Sequence, residues 1–398
     1  MQAIDGLNNF KGGLITSTQD LPGPGGTLTS ATPGDITSAF HINQLLSDGY
    51  NGLGFTAAVI GFPEESFHTS DVNYFWHYYD IGYMDSAYNW LYPYVAKKII
   101  GGGGTAGFDS TYRSNSKEET LDTEWLGVIA PAANIVVVVY NTGFGNPCTS
   151  GICGLNSEVK YAVNTLKANV INFGVEAGYG QGDATQMHDY MVQAADQGET
   201  VLAASGDYGY NVNNGNDVFP ALDPYAIAVG GLNIEFSNGG ISCYTGWSYG
   251  DVSWANYYYA SGGGYVTTVS NDTQPSYQSG VAPNNGYRDI PDVSFPAAPQ
   301  IAVYFNDKLT YGAGTSFATP MLAGVIADLD SYEGSQYGYI NPSIYSVGPL
   351  YNGAVVDVTS GYNGQYAGTG WDFVTGIGAV KAYTFVQEVY SYYACNCH

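Results

Sequence analysis

Cationic side chains are scarce in this sequence. Its 398 residues include 10 Lys and Arg against 35 Asp and Glu, a formal charge of −25. Nucleic-acid binding rests on a basic surface that neutralises phosphates, so that class of partner is excluded. Histidine is rarer still, at 5, and none of the five stands in a recognisable catalytic setting. Cysteine is limited to Cys148, Cys153, Cys243, Cys395 and Cys397. No window holds about eighteen uninterrupted apolar residues, so no transmembrane helix is expected. Residues 1–30 lack the apolar core of a signal peptide. Export information therefore lies upstream of this chain, or Met1 is an artificial start.

What is present fits an acidic, extracellular setting. The chain is 45% hydrophobic, enough for a sizeable core, and holds 37 Tyr and 54 Gly with many Ser, Thr and Asn. Such a surface is polar without being ionised. Its excess carboxylates lose their mutual repulsion as they titrate near pH 4. The spacing CTSGIC, Cys148 to Cys153, suits a small-loop disulfide of a secreted protein. The terminal CNCH offers two thiols and one His, an incomplete set for a metal.

Residues 1–31 are rich in Gly, Pro and Thr and read as a polar arm, or the remnant of a longer segment. Strands and helices then alternate. Apolar, β-branched runs at 54–62, 133–141, 169–175, 200–207 and 225–232 read as buried strands. Helices are expected over 72–79, 118–129, 156–167, 185–197 and 316–330. This order predicts an α/β fold with a mainly parallel sheet and helices on both faces. Residues 233–312 are Tyr-, Gly- and Ser-rich with shorter strands, and no repeat or linker divides the chain. A single domain over 32–392 and a tail at 393–398 are expected.

The stretch GAGTSFATP, Gly312 to Pro320, sets Ser316 in a small-residue turn before an apolar helix. Glycines permit the turn, and Pro320 is expected in the first helical turn, where its missing N–H costs little. Orphan N–H groups at a helix start favour developing negative charge, so Ser316 reads as a nucleophile. The plainer alternative is that Ser316 or Thr315 is an N-cap.

This motif resembles the serine signature of the subtilisins and of the sedolisins, the serine-carboxyl peptidases. The subtilisin base is missing. The first strand ends AVIGFPEES without the required Asp, and neither FHTSD (His68) nor WHYYD (His77) resembles the subtilisin histidine motif. Three other segments resemble the sedolisins. EETLDTEWLGVIAPAANI carries Glu118 and Asp122 four residues apart, which puts them on one helix face, about 5–6 Å apart at Cβ. Glu119 or Glu124 takes the place of Glu118 only if the spacing is read differently, and a solvated acidic helix start is the bland alternative. VLAASGDYGY is similar to the family's strand ending in the oxyanion-hole Asp, which maps onto Asp207, against a common Asp turn. DVTSG followed by AGTGWDFVTGIGA resembles the family's calcium site, against two unrelated turns.

The resemblance runs from about residue 32 to 385 and implies a three-layer subtilisin-like fold. It implies an acid-acting endopeptidase in which Ser316 is the nucleophile and Glu118 the general base. Asp122 is then the partner of Glu118, and Asp207 an oxyanion donor. A His would be protonated and useless as a base at about pH 3–5, whereas a carboxylate stays partly ionised. One structural Ca²⁺ would be held by Asp357, Val358, Gly368, Gly370 and Asp372, hard oxygen ligands on a bending backbone. Substrate would lie against Ser261, Gly262 and Gly263, with Phe173 and Gly174 standing where the family carries an aromatic. Val218 replaces the Asp that favours basic side chains in some relatives, so an apolar or aromatic pocket is expected. The family is made with an N-terminal prosegment as a zymogen, so this chain reads as a mature form, or as a member whose prosegment is not represented, secreted and monomeric, acting on proteins or peptides. Two rivals remain: a catalytically dead relative that binds peptides, and a non-enzymatic, calcium-binding surface protein.

Overall fold

The computed structural model describes residues 15–17, 30–61, 68–101, 117–140, 152–174, 181–210, 219–237, 240–249, 259–265, 273–350 and 353–396. Cys148, Cys397, Val218 and most of the expected N-terminal arm lie outside the described residues.

At the centre is a sheet of ten strands. Along it run Val355–Val356, Ala379–Val380, Val293–Ala298, Ala226–Ser237, Thr200–Ala204, Val170–Phe173, Thr56–Ile60, Asn134–Tyr140 and Tyr94–Ile100. Neighbours are parallel from Tyr94–Ile100 across to Ala379–Val380. Val355–Val356 pairs antiparallel at one edge, and Gly240–Gly246 folds back antiparallel on Ala226–Ser237.

The run NIVVVVY shows why the sheet is buried on both sides. Ile135, Val137 and Val139 join Ala57 and Val59 in one core with Leu121, Trp125, Phe317 and Leu322. Val136 and Val138 join Ala58 and Ile60 in a second core with Leu155, Val159, Met187 and Met191. Alternate side chains of one strand thus feed opposite layers, as the two-residue period requires. Helices Lys117–Ile129 and Thr315–Glu333 cover the first face, and Ile152–Tyr161 and Gln181–Asp196 the second. This is the three-layer, mainly parallel architecture expected from the sequence.

The expected strands and helices are present with shifted ends. The helix expected at 156–167 starts earlier, at Ile152, and finishes as a wider turn over Ala162–Leu166. Strand Tyr94–Ile100 went unrecognised because Lys97 and Lys98 interrupt its apolar pattern. Ile301–Phe305 and Lys308–Ala313 form a hairpin closed by Asn306 and Asp307, both at positive φ (54° and 58°). A two-residue turn of that kind matches the twist of the paired strands. Ile15–Ser17 pairs antiparallel with the second of these strands, Ile15 opposite Ala313, so part of the expected arm belongs to a sheet. The last helix, Ala382–Asn396, runs through the position where a tail was expected to begin.

The serine helix departs from expectation in two ways. Its cap is Gly314, which brings no side chain, so neither Ser316 nor Thr315 is the N-cap. Because the helix starts at Thr315, Pro320 falls in its second turn, not the first. The N–H it lacks would have bonded to the Ser316 carbonyl.

Candidate active site

Helix Lys117–Ile129 is buried along its whole length, including Lys117, Glu118, Glu119, Asp122 and Glu124. A buried carboxylate without strong partners holds its proton, because the charged form loses its hydration. This helix therefore delivers carboxyl groups whose acidity is set by the protein interior.

Gly174 is where the candidate groups meet. It follows strand Val170–Phe173, and its carbonyl accepts the Ser316 Oγ–H at 3.1 Å. A Cβ on Gly174 would collide with Asp122 Oδ1 and stand 2.5 Å from Oδ2 and 2.7 Å from Glu118 Oε1. Glu118, Asp122 and Ser316 thus converge on one residue that has no room for a side chain. Ser316 is 3% exposed, Glu118 5% and Asp122 0%, so the cluster is shielded from water.

Burial pushes the Glu118 carboxyl well above its ordinary range, and the charges of Asp207 and Glu119 add to the rise. The Ser316 hydroxyl and the Lys117 ammonium oppose it. Asp122 is likewise raised, first by burial and then by Glu118 and Glu119, against Asn172 and the Gly174 N–H. Two carboxyls this close cannot both ionise cheaply, so they titrate as a pair sharing a proton.

Asp207 lies just past strand Thr200–Ala204, at the start of the serine helix. Its Oδ1 accepts the Thr315 N–H at 2.8 Å and the Thr315 hydroxyl at 2.9 Å, supplying the cap that Gly314 lacks. Thr315 Oγ1 in turn accepts the Gly206 N–H at 3.2 Å. Asp207 Oδ2 lies over Gly314, where a Cβ would be 2.8 Å away; with φ at +154°, a side chain there would also be strained. Burial raises Asp207 to about 7, opposed by the two bonds from Thr315.

The expected substrate residues are largely buried. Phe173 is fully buried in the core beneath the second helix layer, so it does not stand in for an exposed aromatic. Ser261, Gly262 and Gly263 are buried too, and some of their polar groups are bonded within the protein. The Ser261 hydroxyl donates to the Val374 carbonyl at 2.7 Å, and the Gly262 N–H donates to the Gly206 carbonyl at 2.7 Å. Side chains at 262 and 263 would collide with the Ser205 and Phe373 carbonyls. These residues brace the Asp207 loop from behind. Of the five, Gly174 meets Glu118, Asp122 and Ser316 directly.

Two of the expected calcium ligands, Asp357 and Asp372, both bond the turn at 368–370. Asp357 Oδ2 accepts the Gly370 N–H at 3.0 Å, and Asp372 Oδ2 accepts the Gly368 N–H at 2.9 Å. Asp357 Oδ1 is buried without a hydrogen-bond partner among the described residues, an orphan oxygen of the kind a hard cation satisfies. Val358 follows Asp357 and is buried.

Comparison with known proteins places the chain in a family. A sequence model of the Subtilase family matches residues 99–342, more than half of the chain. Sedolisin of Pseudomonas sp. (strain 101) is 34% identical over 309 residues, 72% of this chain and 51% of that protein. The chain belongs to the sedolisin family, within the subtilases. Kumamolisin of Bacillus sp. (strain MN-32) is 27% identical over 387 residues, covering 91% of this chain and 64% of its own length. The chain therefore spans between half and two thirds of these relatives. The structure of Pseudomonas sedolisin, a serine-carboxyl proteinase complexed with two molecules of pseudo-iodotyrostatin, superposes with a TM-score of 0.75 at 26% identity, over 94% of this chain and 100% of that one.

Among the candidate groups, Asn172 and Lys117 escaped the sequence reading. Glu119 was weighed only as a substitute for Glu118. A second acid beside a first reads as one more solvated charge, and nothing in the local pattern marks the helix as wholly buried.

Proposed function

We propose that this chain is a serine-carboxyl peptidase acting in acid, cutting within polypeptides. The observation that carries the reading is the convergence of Ser316, Glu118 and Asp122 on Gly174. Ser316 attacks the peptide carbonyl while Glu118 takes the hydroxyl proton. The tetrahedral adduct collapses to an acyl-enzyme as Glu118 returns that proton to the leaving amine. Water, deprotonated by Glu118, then releases the acyl group. Asp122 holds the Glu118 carboxyl and shares its proton. Asp207 in its neutral form keeps Oδ1 on Thr315 and turns its own O–H toward the oxyanion, together with N–H groups at the helix start. One such donor is worth about 10²–10³ in rate.

The surroundings support acid chemistry from both sides. A protonated Asp207 is a donor below about 7, its raised value, and a repelling charge above it. A chain with −25 formal charge also sheds its self-repulsion in acid. Acidic surroundings outside the cell suit such a protein.

We extend the proposal to one Ca²⁺ held by Asp357, Asp372 and the carbonyls of Val358, Gly368 and Gly370. The orphan oxygen of Asp357 and the binding of both carboxylates to one turn support it. The ion would cross-link the 357 and 368–372 segments and take no part in the chemistry.

The test is digestion of a denatured protein in acid, with products read by mass spectrometry. Internal cuts support an endopeptidase. Release of only short N-terminal pieces assigns an exopeptidase instead, and no cleavage by a folded, calcium-supplied protein overturns the reading.

A further inference from the structure

The carboxyl edge of the sheet carries more buried acid than these steps use. Four adjacent strands each meet a buried carboxyl near their ends. Asp207 follows Thr200–Ala204, and Glu118 and Asp122 stand against Gly174 after Val170–Phe173. Glu119 stands against Gly61, just past Thr56–Ile60. A Cβ on Gly61 would lie 2.9 Å from Glu119 Cγ and 3.0 Å from its Oε1. Glu158 closes the row: its Oε1 accepts the N–H of Tyr140, the last residue of strand Asn134–Tyr140, at 2.5 Å. Glu119 is 1% exposed and Glu158 0%.

We propose that Glu119 is a positioning residue for the Glu118–Asp122 pair, filling the space left by Gly61 and linking the pair to Glu158 in one buried carboxyl row. The proposal rests on the peptidase reading. Glu119 precedes Asp122 by three on the helix, so the two are neighbours on its surface, while Glu118 adjoins it in the chain. A larger residue at 61 would drive the Glu119 side chain out of this position. An apolar side chain would fill the same space without the cost of burying a carboxyl, so what the acid adds is electrostatic. When ionised, it works against ionisation of Glu118, Asp122 and Glu158 alike.

Charged groups from several elements act on this row. Lys117, Glu118 and Asp122 share its helix, Glu158 comes from Ile152–Tyr161, and Asp207 acts on Glu118 from the far end. Glu124 points elsewhere, accepting the Tyr304 N–H, with Asp71 and Lys117 as its charged neighbours. The effect of Glu119 is therefore to raise the pH at which the Glu118–Asp122 pair gives up its first proton, beyond what burial alone does.

Glu119→Gln keeps the shape and removes the charge. The acid limb of kcat/KM against pH is expected to move down by about half a unit or more, the pair having lost a neighbouring charge. Glu124→Gln, on the same helix, is expected to leave that limb in place. A parallel infrared titration of buried carboxyl bands uses Ser316→Ala with and without Glu119→Gln, and is expected to show their midpoint fall in the double variant. An unmoved limb and unmoved bands in folded Glu119→Gln would overturn the role of Glu119 and leave the peptidase reading standing. A band shift in a protein whose parent hydrolyses nothing would support the coupling and overturn the peptidase reading.

Discussion

Asp207 and Thr315 are joined twice, by the backbone N–H and by the hydroxyl, both onto Oδ1. That leaves Oδ2 as the atom able to carry a proton. Asn at 207 can keep an oxygen on Thr315 and present an N–H that never titrates. Asp207→Asn is therefore expected to retain acid activity and to push the alkaline limb of kcat/KM above about 7, where the raised carboxyl ionises. Asp207→Ala is expected to lose about 10²–10³ in kcat, the worth of one oxyanion donor. A steady-state pH profile of both variants checks this; an alkaline limb identical in wild type and Asp207→Asn contradicts it.

Gly174 gives a sharper geometric test. Its Cβ would sit 2.5 Å from Asp122 Oδ2 and 2.7 Å from Glu118 Oε1, so one or both carboxyls must move. Gly174→Ala is expected to cut kcat about 100-fold, the scale of effect an ångström of misplacement produces. The same overpacking should cost about 1–3 kcal/mol of stability, read from chemical denaturation. Unchanged kcat would mean the carboxyls do not act from where they stand.

Stability should fall as pH rises. Burial raises Glu118, Asp122, Glu124, Glu158, Asp328 and Asp330 well above the ordinary carboxyl range, and Asp207 and Asp289 to about 7. In the unfolded chain these groups ionise near pH 4, so between there and their raised values the folded state binds more protons. Stability is then fully present below about pH 4 and is lost progressively toward neutrality. Calorimetry on Ser316→Ala, which cannot digest itself under the proposed mechanism, should show Tm highest in acid. A Tm that climbs toward pH 7 would contradict the buried, protonated state of these acids.

The proposed calcium site predicts a Tm that rises with added Ca²⁺ and drops on chelation. Asp372→Asn should abolish that response, and Asp357→Asn should weaken it, with the sheet otherwise intact by circular dichroism. A Tm indifferent to both calcium and chelator would contradict the site.

The residues differ in how far their roles could be read from the chain. Asn134–Tyr140 announces itself because four successive Val residues leave little choice but a strand buried on both faces. Ser316, Glu118, Asp122 and Asp207 were legible as an ordered set, since each motif restricts the others. Ser261 to Gly263 were less legible because a Gly run looks the same whether it opens to a ligand or lets two backbones touch. Here it touches Ser205 and Phe373. Glu119 and Glu158 were passed over because charged residues on helices ordinarily lie in water, and only tertiary packing shows these two sealed inside. Pro320 was misjudged by the position of the cap, where a carboxylate from beyond strand Thr200–Ala204 bonds Thr315.

The central claim is that a serine works with carboxylates and not with histidine. The direct measurement is hydrolysis of a denatured protein from about pH 3 to about pH 8, spanning carboxyl and imidazole titration, for the wild type and Ser316→Ala side by side. The account predicts an acid optimum that disappears in Ser316→Ala and survives an aspartic-protease inhibitor. An optimum near pH 8, or acid activity undiminished in Ser316→Ala, would contradict it.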